Sequence, residues 1–212
     1  MGLAEQLAII FGVILLSMTL HEAMHAFMGY ALGDDTAKAQ GRLTLNPLKH
    51  IDPFMTILLP LTMAVLGGPI FGGAKPVPFN PQRVRYGEWG AALVALAGPL
   101  TNLLIAFLAF GVGVLATASF TQGGLTGEII KMVVLVNLGF FAFNILPIPP
   151  LDGSRVLYAV APEPVRRGME WIEQYGVFMV FVLVLVGSNL IGNMMQTIIT
   201  AILTAFQAIF GV

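Results

Sequence analysis

Apolar residues dominate the chain in long runs, and the charged residues mark where those runs stop. No charged residue lies in six stretches of the sequence: 6–21, 23–33, 53–74, 89–127, 132–151 and 174–212. A transmembrane helix needs about 20 predominantly apolar residues. We therefore predict helices near 3–33, 89–117, 127–146, 169–187 and 190–210. A tight turn at Gly187-Ser188-Asn189 is predicted to join the last two helices.

The apolar stretch 54–73 is ambiguous because it carries six helix-interrupting residues: Pro60, Gly67, Gly68, Pro69, Gly72 and Gly73. If this stretch enters the membrane and returns, nine of the ten Lys and Arg residues face one compartment, and only Lys131 lies towards the other. Basic loops of membrane proteins concentrate on the cytoplasmic side. The asymmetry therefore favours a re-entrant segment near 54–80 and cytoplasmic basic loops. Because re-entrant backbone must be buried in protein or line a water-filled cavity, a cavity is expected.

The composition agrees with a membrane location. Hydrophobic residues make up 57% of the chain, charged residues 10%, and the mean hydropathy is +0.88, whereas soluble domains carry about 25% charged residues. We predict an all-α polytopic membrane protein with about five to six transmembrane helices in one domain, 1–212. Its catalytic core is expected at about 3–160 and its C-terminal helices at about 169–210. The apolar N-terminus lacks a basic region and is interpreted as a retained helix, not a signal peptide.

Charge and cysteine content exclude several functional classes. The net charge of −1 gives no basic surface for nucleic acid, which is therefore an unlikely partner. The chain has no cysteine, which excludes disulfides, thiolate metal ligands and a cysteine nucleophile.

Three ionisable residues lie inside the first predicted helix, in the segment His21-Glu22-Ala23-Met24-His25. Imidazoles at positions i and i+4 lie on one helical face and can bind a single zinc ion. Glu22 is next to the first imidazole and can act as a general base. The alternative, a histidine that only donates an interhelical hydrogen bond, suits one isolated residue better than this cluster. Ionisable groups at membrane depth are costly and mark functional sites.

Two histidines leave a catalytic zinc site short of a protein ligand, since such sites usually have three. The remaining candidates are His50 and the carboxylates. The carboxylates of the loop that follows the first helix fit helix ends or turns better than a metal site. Asp152 follows the apolar run 132–151, where three prolines interrupt the helix. Gly153 permits a tight backbone beside this carboxylate. We therefore favour Asp152 as the third ligand.

These motifs together resemble the site-2 protease family of intramembrane zinc metalloproteases. The resemblance covers most of 15–160. It is carried by His21-Glu22-x-x-His25, by Asn144-x-x-Pro147-x-Pro149-x-Leu151-Asp152-Gly153 and by Ala97-Gly98-Pro99-Leu100-x-Asn102. The stretch from Gly41 to Pro53 is similar to a compact bacterial branch of that family. We expect neither the PDZ nor the CBS modules of some relatives in these 212 residues.

The resemblance implies that His21, His25 and Asp152 hold one zinc ion and that Glu22 is the catalytic base. It also implies that the substrates are transmembrane proteins, cleaved from the cytoplasmic side. The expected location is the bilayer of a bacterial plasma membrane. The sequence leaves the oligomeric state open.

The sequence offers three candidates for stabilising an oxyanion or contacting substrate: Asn144, Asn102 and His50. The position of Asn144 beside the proline-rich break favours substrate contact. A helix–helix hydrogen bond is an equal alternative for Asn102, and an ordinary loop role is favoured for His50.

The segment from Lys75 to Asn80 is a candidate for binding an unwound substrate. In an extended strand, Pro76 and Pro78 remove hydrogen-bond donors from one edge, while Val77 and Phe79 keep theirs on the other. Such an edge can pair with a substrate strand. The alternative is a rigid connecting loop.

Two other functional classes are alternatives for this sequence, a metal-binding membrane transporter and a catalytically inactive scaffold. A transporter would more often show inverted halves or acidic residues along a path. Here the intramembrane acids reduce to Glu22 and Asp152, which are assigned to one site. An inactive relative would be expected to lack Glu22.

Overall fold

The computed structural model describes residues 2–58, 73–117 and 124–212. Its four long helices are α1 (Leu3–Ala31), α3 (Gly87–Thr117), α4 (Gly124–Asn144) and α7 (Gly176–Phe210). Three shorter helices are α2 (Thr36–Ala39), α5 (Gly153–Val160) and α6 (Glu163–Glu173). Short 3₁₀ turns occupy Pro47–Lys49 and Pro81–Arg83, and Pro53–Leu58 is π-helical. No strand occurs among the described residues, so the predicted all-α class is confirmed.

Segments of the four long helices are long and apolar enough to cross a membrane. They are Glu5–Ala31, Gly87–Ala116, Gly124–Asn144 and Asn189–Phe210. The protein is therefore a polytopic membrane protein, with four candidate spans in the part of the chain that is described. The predicted re-entrant segment near 54–80 falls largely on residues 59–72, which lie outside the described residues.

The C-terminal region differs from the prediction. Residues 187–189 lie within α7, which is unbroken from Gly176 to Phe210, so the predicted turn at Gly187-Ser188-Asn189 and two separate helices are wrong. A glycine inside a helix costs only about 1 kcal/mol relative to alanine, and no proline follows Pro164 to end the helix. The break lies instead at the start of α7, where Gly176 has φ of +45°.

The helices α1, α3 and α4 form the centre of the bundle. Helix α3 runs antiparallel to α1, since His25 contacts Val94 whereas His21, one turn earlier, contacts Asn102. Helix α4 runs parallel to α1, since Ser17 contacts Asn137 and both histidines contact a residue just beyond the end of α4. The two motif-bearing helices therefore point their C-terminal ends in the same direction.

One end of the bundle collects most of the positive charge. The backbone N–H of Arg85 donates to the carbonyl of Leu32 at 2.9 Å, so the chain that leaves α1 returns to the same end before α3. The segments 32–58, 73–86 and 145–175 adjoin this end, and they carry nine of the ten Lys and Arg residues. Lys131, near the start of α4, lies towards the opposite end.

Candidate metal centre

Three metal-ligating side chains meet where α1, α3 and the end of α4 come together. His21 and His25 project from one face of α1, with their Nε2 atoms 3.0 Å apart. The Oδ2 atom of Asp152 lies 3.2 Å from the Nε2 atom of His21 and 3.4 Å from that of His25. The structure thus brings together the three residues that the sequence analysis favoured as zinc ligands.

Hydrogen bonds fix the orientation of both imidazole rings. The Nδ1 atom of His21 lies 2.6 Å from the amide oxygen of Asn102, and that of His25 lies 2.8 Å from the backbone carbonyl of Val94. Both partners are oxygens that only accept, so each ring carries its proton on Nδ1 and donates it there. The lone pairs on both Nε2 atoms consequently face Asp152.

This arrangement fits a zinc ion. With the ring protons on Nδ1, two imidazole lone pairs face a carboxylate oxygen, and the buried Oδ2 atom of Asp152 has no hydrogen-bond partner. Ligands of a tetrahedral zinc ion at 2.0–2.1 Å lie about 3.3 Å apart. The observed separations between the three atoms are 3.0, 3.2 and 3.4 Å. Nitrogen and carboxylate oxygen ligands are also ones that zinc accepts.

The backbone of α3 approaches the two imidazoles at Gly98. A Cβ atom at this position would lie 2.4 Å from the Nε2 atom of His25 and 2.6 Å from that of His21. Only glycine therefore leaves space for the rings and for an ion between them. Gly98 belongs to the Ala97–Asn102 motif, but no role for it was predicted from the sequence. A Gly-Pro pair inside a long apolar helix was the available signal of close packing.

The turn between α4 and α5 places Asp152 beside the histidines. A Cβ atom on Gly153 would lie 2.1 Å from the carbonyl oxygen of Ile145, which confirms the tight backbone predicted there. Hydrogen bonds from Leu151 N–H to Ile148 O (2.9 Å) and from Ser154 N–H to Leu151 O (3.0 Å) shape this turn.

Glu22 lies in the same cavity as His25 and Asp152. The cavity has a volume of about 300 Å³ and is lined by Glu22, His25 and Asp152 together with Val77, Phe79 and Leu151. The Oε2 atom of Glu22 accepts a hydrogen bond from the backbone N–H of Val77 at 2.9 Å. The Glu22 carboxylate, two of the three side chains that could hold a metal, and a space for a reacting group therefore share one site.

Comparisons with known proteins place the chain in a family. A model described as peptidase family M50 matches residues 115–187, which include Asp152. A Bacillus subtilis protein named "Putative zinc metalloprotease YwhC" is 40% identical over 206 residues, covering 93% of this chain and 90% of the relative. The chain belongs to peptidase family M50. This membership confirms the resemblance to the site-2 protease family.

More distant relatives of this M50 chain carry similar names. The protein "Putative zinc metalloprotease Rip2" of Mycolicibacterium smegmatis is 34% identical over 81% of this chain and 64% of its own length. The protein of the same name in Mycobacterium tuberculosis strain H37Rv is 32% identical over 81% of this chain and 63% of its own length. No solved structure matches the chain.

The three candidates for an oxyanion or substrate contact lie outside the residues that line the cavity. Asn102 is fully buried and bonded to His21, a geometry that favours the helix–helix alternative. The side-chain amide of Asn144 donates to the carbonyl of Phe140 in its own helix at 3.0 Å. His50 is buried in its loop, with Nε2 at 2.8 Å from the carbonyl of Thr44. A substrate-contacting role for these residues stays a prediction.

The segment from Lys75 to Asn80 crosses one side of the cavity without regular secondary structure. The loop at 42–50 holds its first residue, since Lys75 N–H donates to His50 O at 2.9 Å and Arg42 Nη2 donates to Lys75 O at 2.6 Å. Its last residue is held where Asn80 N–H donates to Asp34 Oδ2 at 2.7 Å.

Two backbone N–H groups on the predicted substrate-pairing edge of this segment are therefore already bonded to other parts of the protein. The backbone N–H of Lys75 is bonded to the 42–50 loop, and that of Val77 is bonded to Glu22. Phe79 lines the cavity, and its backbone N–H has no hydrogen bond to any described residue. Pairing with a substrate strand remains a prediction, and it requires Val77 to exchange its partner.

Two buried polar residues that support His21, Asn137 and Ser17, were not predicted from the sequence. The side-chain amide of Asn102 donates to Asn137 Oδ1 at 2.8 Å, and that of Asn137 donates to Ser17 Oγ at 2.9 Å. Ser17, Asn102 and Asn137 come from three helices, and no more than 4% of each residue is exposed. Uncharged polar residues inside apolar spans were the signal for such interhelical hydrogen bonds.

An ion pair at the edge of the cavity was also missed. Arg155 Nη2 donates to Glu173 Oε2 at 2.8 Å, and both residues line the cavity. Burial raises the pKa of Glu173 above its ordinary value, although the charge of Arg155 acts in the opposite direction.

Proposed function

We propose that this M50 chain is an intramembrane zinc endopeptidase that hydrolyses peptide bonds in or near the transmembrane segments of membrane proteins. The proposal rests on one observation above all. His21, His25 and Asp152 offer three ligand atoms within 3.4 Å of one another, and two of these residues, His25 and Asp152, line a cavity together with Glu22. The names of the relatives support the coarser conclusion that the chain is a zinc metalloprotease.

Each side chain has a task in the proposed reaction. His21, His25 and Asp152 hold zinc, which supplies Lewis acidity towards water and the scissile carbonyl. Glu22 accepts the proton of the attacking water and delivers it to the leaving amine. Asn102 and the carbonyl of Val94 keep both Nε2 lone pairs directed at the ligand position.

The hydrogen bond between Val77 and Glu22 links substrate binding to this chemistry. A transmembrane helix hides its peptide groups in its own hydrogen bonds, so the substrate must unwind locally before cleavage. A locally unwound substrate strand that pairs with this segment accepts the hydrogen bond of the Val77 N–H. The substrate then replaces Glu22 as the partner of Val77. The Glu22 carboxylate is then free to accept a proton.

The orientation of the protein follows from its charge distribution. The end of the bundle that carries nine basic residues lies on the cytoplasmic side of a bacterial plasma membrane, because basic segments are retained on that side. The metal centre lies near the C-terminal ends of α1 and α4 and thus towards this side. Substrates are therefore cut in the cytoplasmic half of the bilayer.

The test is cleavage of defined substrates by the purified chain in proteoliposomes. Single-span proteins are co-reconstituted, and the product ends are mapped by mass spectrometry with zinc present or after removal by a chelator. We expect cleavage within or next to the apolar segment, loss with the chelator and recovery with zinc. Zinc-independent cleavage, or cleavage confined to soluble peptides, would argue against the proposal. Metal-dependent uptake into the vesicles without any cleavage would favour the transporter alternative.

A further inference from the structure

The outer face of α7 carries a line of uncharged polar residues. We call it the α7 polar stripe and define it by Asn193, Thr197, Thr200, Thr204 and Gln207. All five residues are exposed, and Gln196 lies beside them. Their spacing alternates between four and three residues, so they share one face of the helix. The opposite face carries the buried residues Ile191 and Phe206.

The packing of that opposite face places the stripe at membrane depth. Ile191 packs against Leu146 and Leu151, which lie just beyond the C-terminal end of α4. Phe206 belongs to the buried cluster that contains Val134, at the midpoint of α4. Residues 191–206 therefore run antiparallel along the C-terminal half of a membrane-spanning helix. The segment Asn189–Phe210 is itself a candidate span, with the lowest mean hydropathy of the four, 1.3.

Polar side chains at this depth are costly without partners, because lipid tails offer no hydrogen bonds. Two hydroxyl groups are satisfied within the helix, since Thr197 donates to Asn193 O at 2.8 Å and Thr204 donates to Thr200 O at 2.9 Å. The side-chain amides of Asn193 and Gln207 form no hydrogen bond with any described residue. The stripe thus retains donors and acceptors for a neighbouring helix.

We propose that the α7 polar stripe pairs with the same stripe of a second copy of this chain. Alternating steps of four and three residues are the seam spacing of a left-handed helix pair. All copies insert into the membrane in one orientation, so the two α7 helices run parallel and each seam position meets itself. Amide and hydroxyl groups both donate and accept, and such a face satisfies itself.

The composition of the α7 polar stripe favours a second copy of this chain as its partner. The α7 polar stripe has no charged residue, so two copies do not repel each other. The stripe also offers no ion pair to a charged partner. Ala201 and Ala208 adjoin the stripe and are exposed, and small residues allow two helices to approach closely.

Disulfide cross-linking tests the pairing directly, because the chain contains no cysteine. The full-length Thr200→Cys variant is oxidised in its native membrane and compared with Leu108→Cys. Leu108 is 57% exposed on α3 and is apolar. We expect Thr200→Cys to give a disulfide-linked homodimer at least about tenfold more efficiently than the control. Equal yields, no dimer, or a disulfide to a different protein would overturn the proposal.

A second measurement does not depend on an introduced thiol. Single-molecule photobleaching in vesicles counts the labelled chains per particle, and zinc content reports the folded state. Wild type is expected to bleach mainly in two steps. The double variant Asn193→Leu/Gln207→Leu is expected to shift to one step while it keeps the metal content of wild type. An unchanged two-step fraction in this variant would contradict the proposed interface.

Discussion

The Nδ1 atom of His21 lies 2.6 Å from the amide oxygen of Asn102, although 81 positions separate the two residues. This contact determines which nitrogen of His21 faces Asp152. The orientation of Asn102 depends in turn on Asn137 and Ser17, so the ligand position is held by a buried chain of hydrogen bonds across three helices. The candidate metal centre therefore depends on residues that lie outside the triad of possible ligands.

Replacement of Asn102 by leucine is expected to weaken zinc binding by about 10- to 100-fold. The variant removes the acceptor of the His21 proton, and loss of such a partner typically has this effect on metal affinity. Competition with a calibrated chelator measures the change. Zinc affinity equal to that of wild type would show that the contact does not orient the ligand.

A pair of buried hydroxyl groups on α1 separates this effect from general destabilisation. Ser17 belongs to the hydrogen-bond chain, whereas Thr19 donates only to the carbonyl of Leu15 in its own helix, at 2.7 Å. Ser17→Ala is expected to lower zinc affinity by a smaller factor than Asn102→Leu. Thr19→Ala is expected to leave zinc affinity unchanged, and equal losses in both variants would contradict a specific role for the chain.

Replacement of Gly98 by alanine is expected to remove the metal site. The added methyl group would lie closer than 3 Å to the Nε2 atoms of His21 and His25, so the rings must move away from Asp152. Zinc bound per purified chain should fall well below one. Gly139→Ala is the matched control, because nothing lies within 4 Å of a Cβ atom there. The same zinc content in both variants would show that the rings tolerate the methyl group.

Replacement of Val77 by proline is expected to abolish cleavage while zinc remains bound. Proline removes the backbone N–H that contacts Glu22 and that is proposed to pair with the substrate. Val77→Ala keeps this N–H and should retain most activity. Rates of cleavage in vesicles, measured together with zinc content, check both variants. Cleavage by Val77→Pro at the rate of wild type would exclude the strand-addition step.

The link between Asp34 and the 75–80 segment is expected to weaken in acid. Burial alone would raise the pKa of Asp34, but hydrogen bonds from Thr36 and from the backbone N–H of Asn80 lower it below its ordinary value of 3.8. A lowered pKa in the folded state means that the stabilisation is complete above 3.8 and is lost as the pH falls through the lower value.

The comparison of wild type with Asp34→Asn checks this dependence. The difference between their thermal unfolding temperatures in detergent should be constant at neutral and mildly acidic pH. It should shrink as the pH falls below the ordinary pKa of an aspartate, because the protonated carboxyl then resembles the amide. A difference that does not change with pH would contradict a stabilising role for the charged form.

The sequence was sufficient to predict that His21, His25 and Asp152 meet, because helical geometry places the two histidines on one face and a proline-rich break isolates Asp152. Contacts that depend on how helices rotate against one another could not be predicted in this way. Asn137 and Ser17 meet only after three helices have packed, and the Val77 N–H reaches Glu22 only through the path of a long loop. The continuous helix through Gly187 was not predicted, although a glycine inside a helix costs only about 1 kcal/mol and does not by itself end the helix.

The most direct test of the account is the activity of Glu22→Gln, measured together with its metal content. Glutamine keeps the size of the side chain but cannot accept a proton, and a general base typically contributes about 10²- to 10⁴-fold to the rate. Wild type in vesicles is expected to hold one zinc ion per chain and to cleave a transmembrane substrate. The variant should hold the same zinc and lose at least about 100-fold in rate. Cleavage by Glu22→Gln at the rate of wild type, or a wild-type chain that neither binds zinc nor cleaves, would contradict the account.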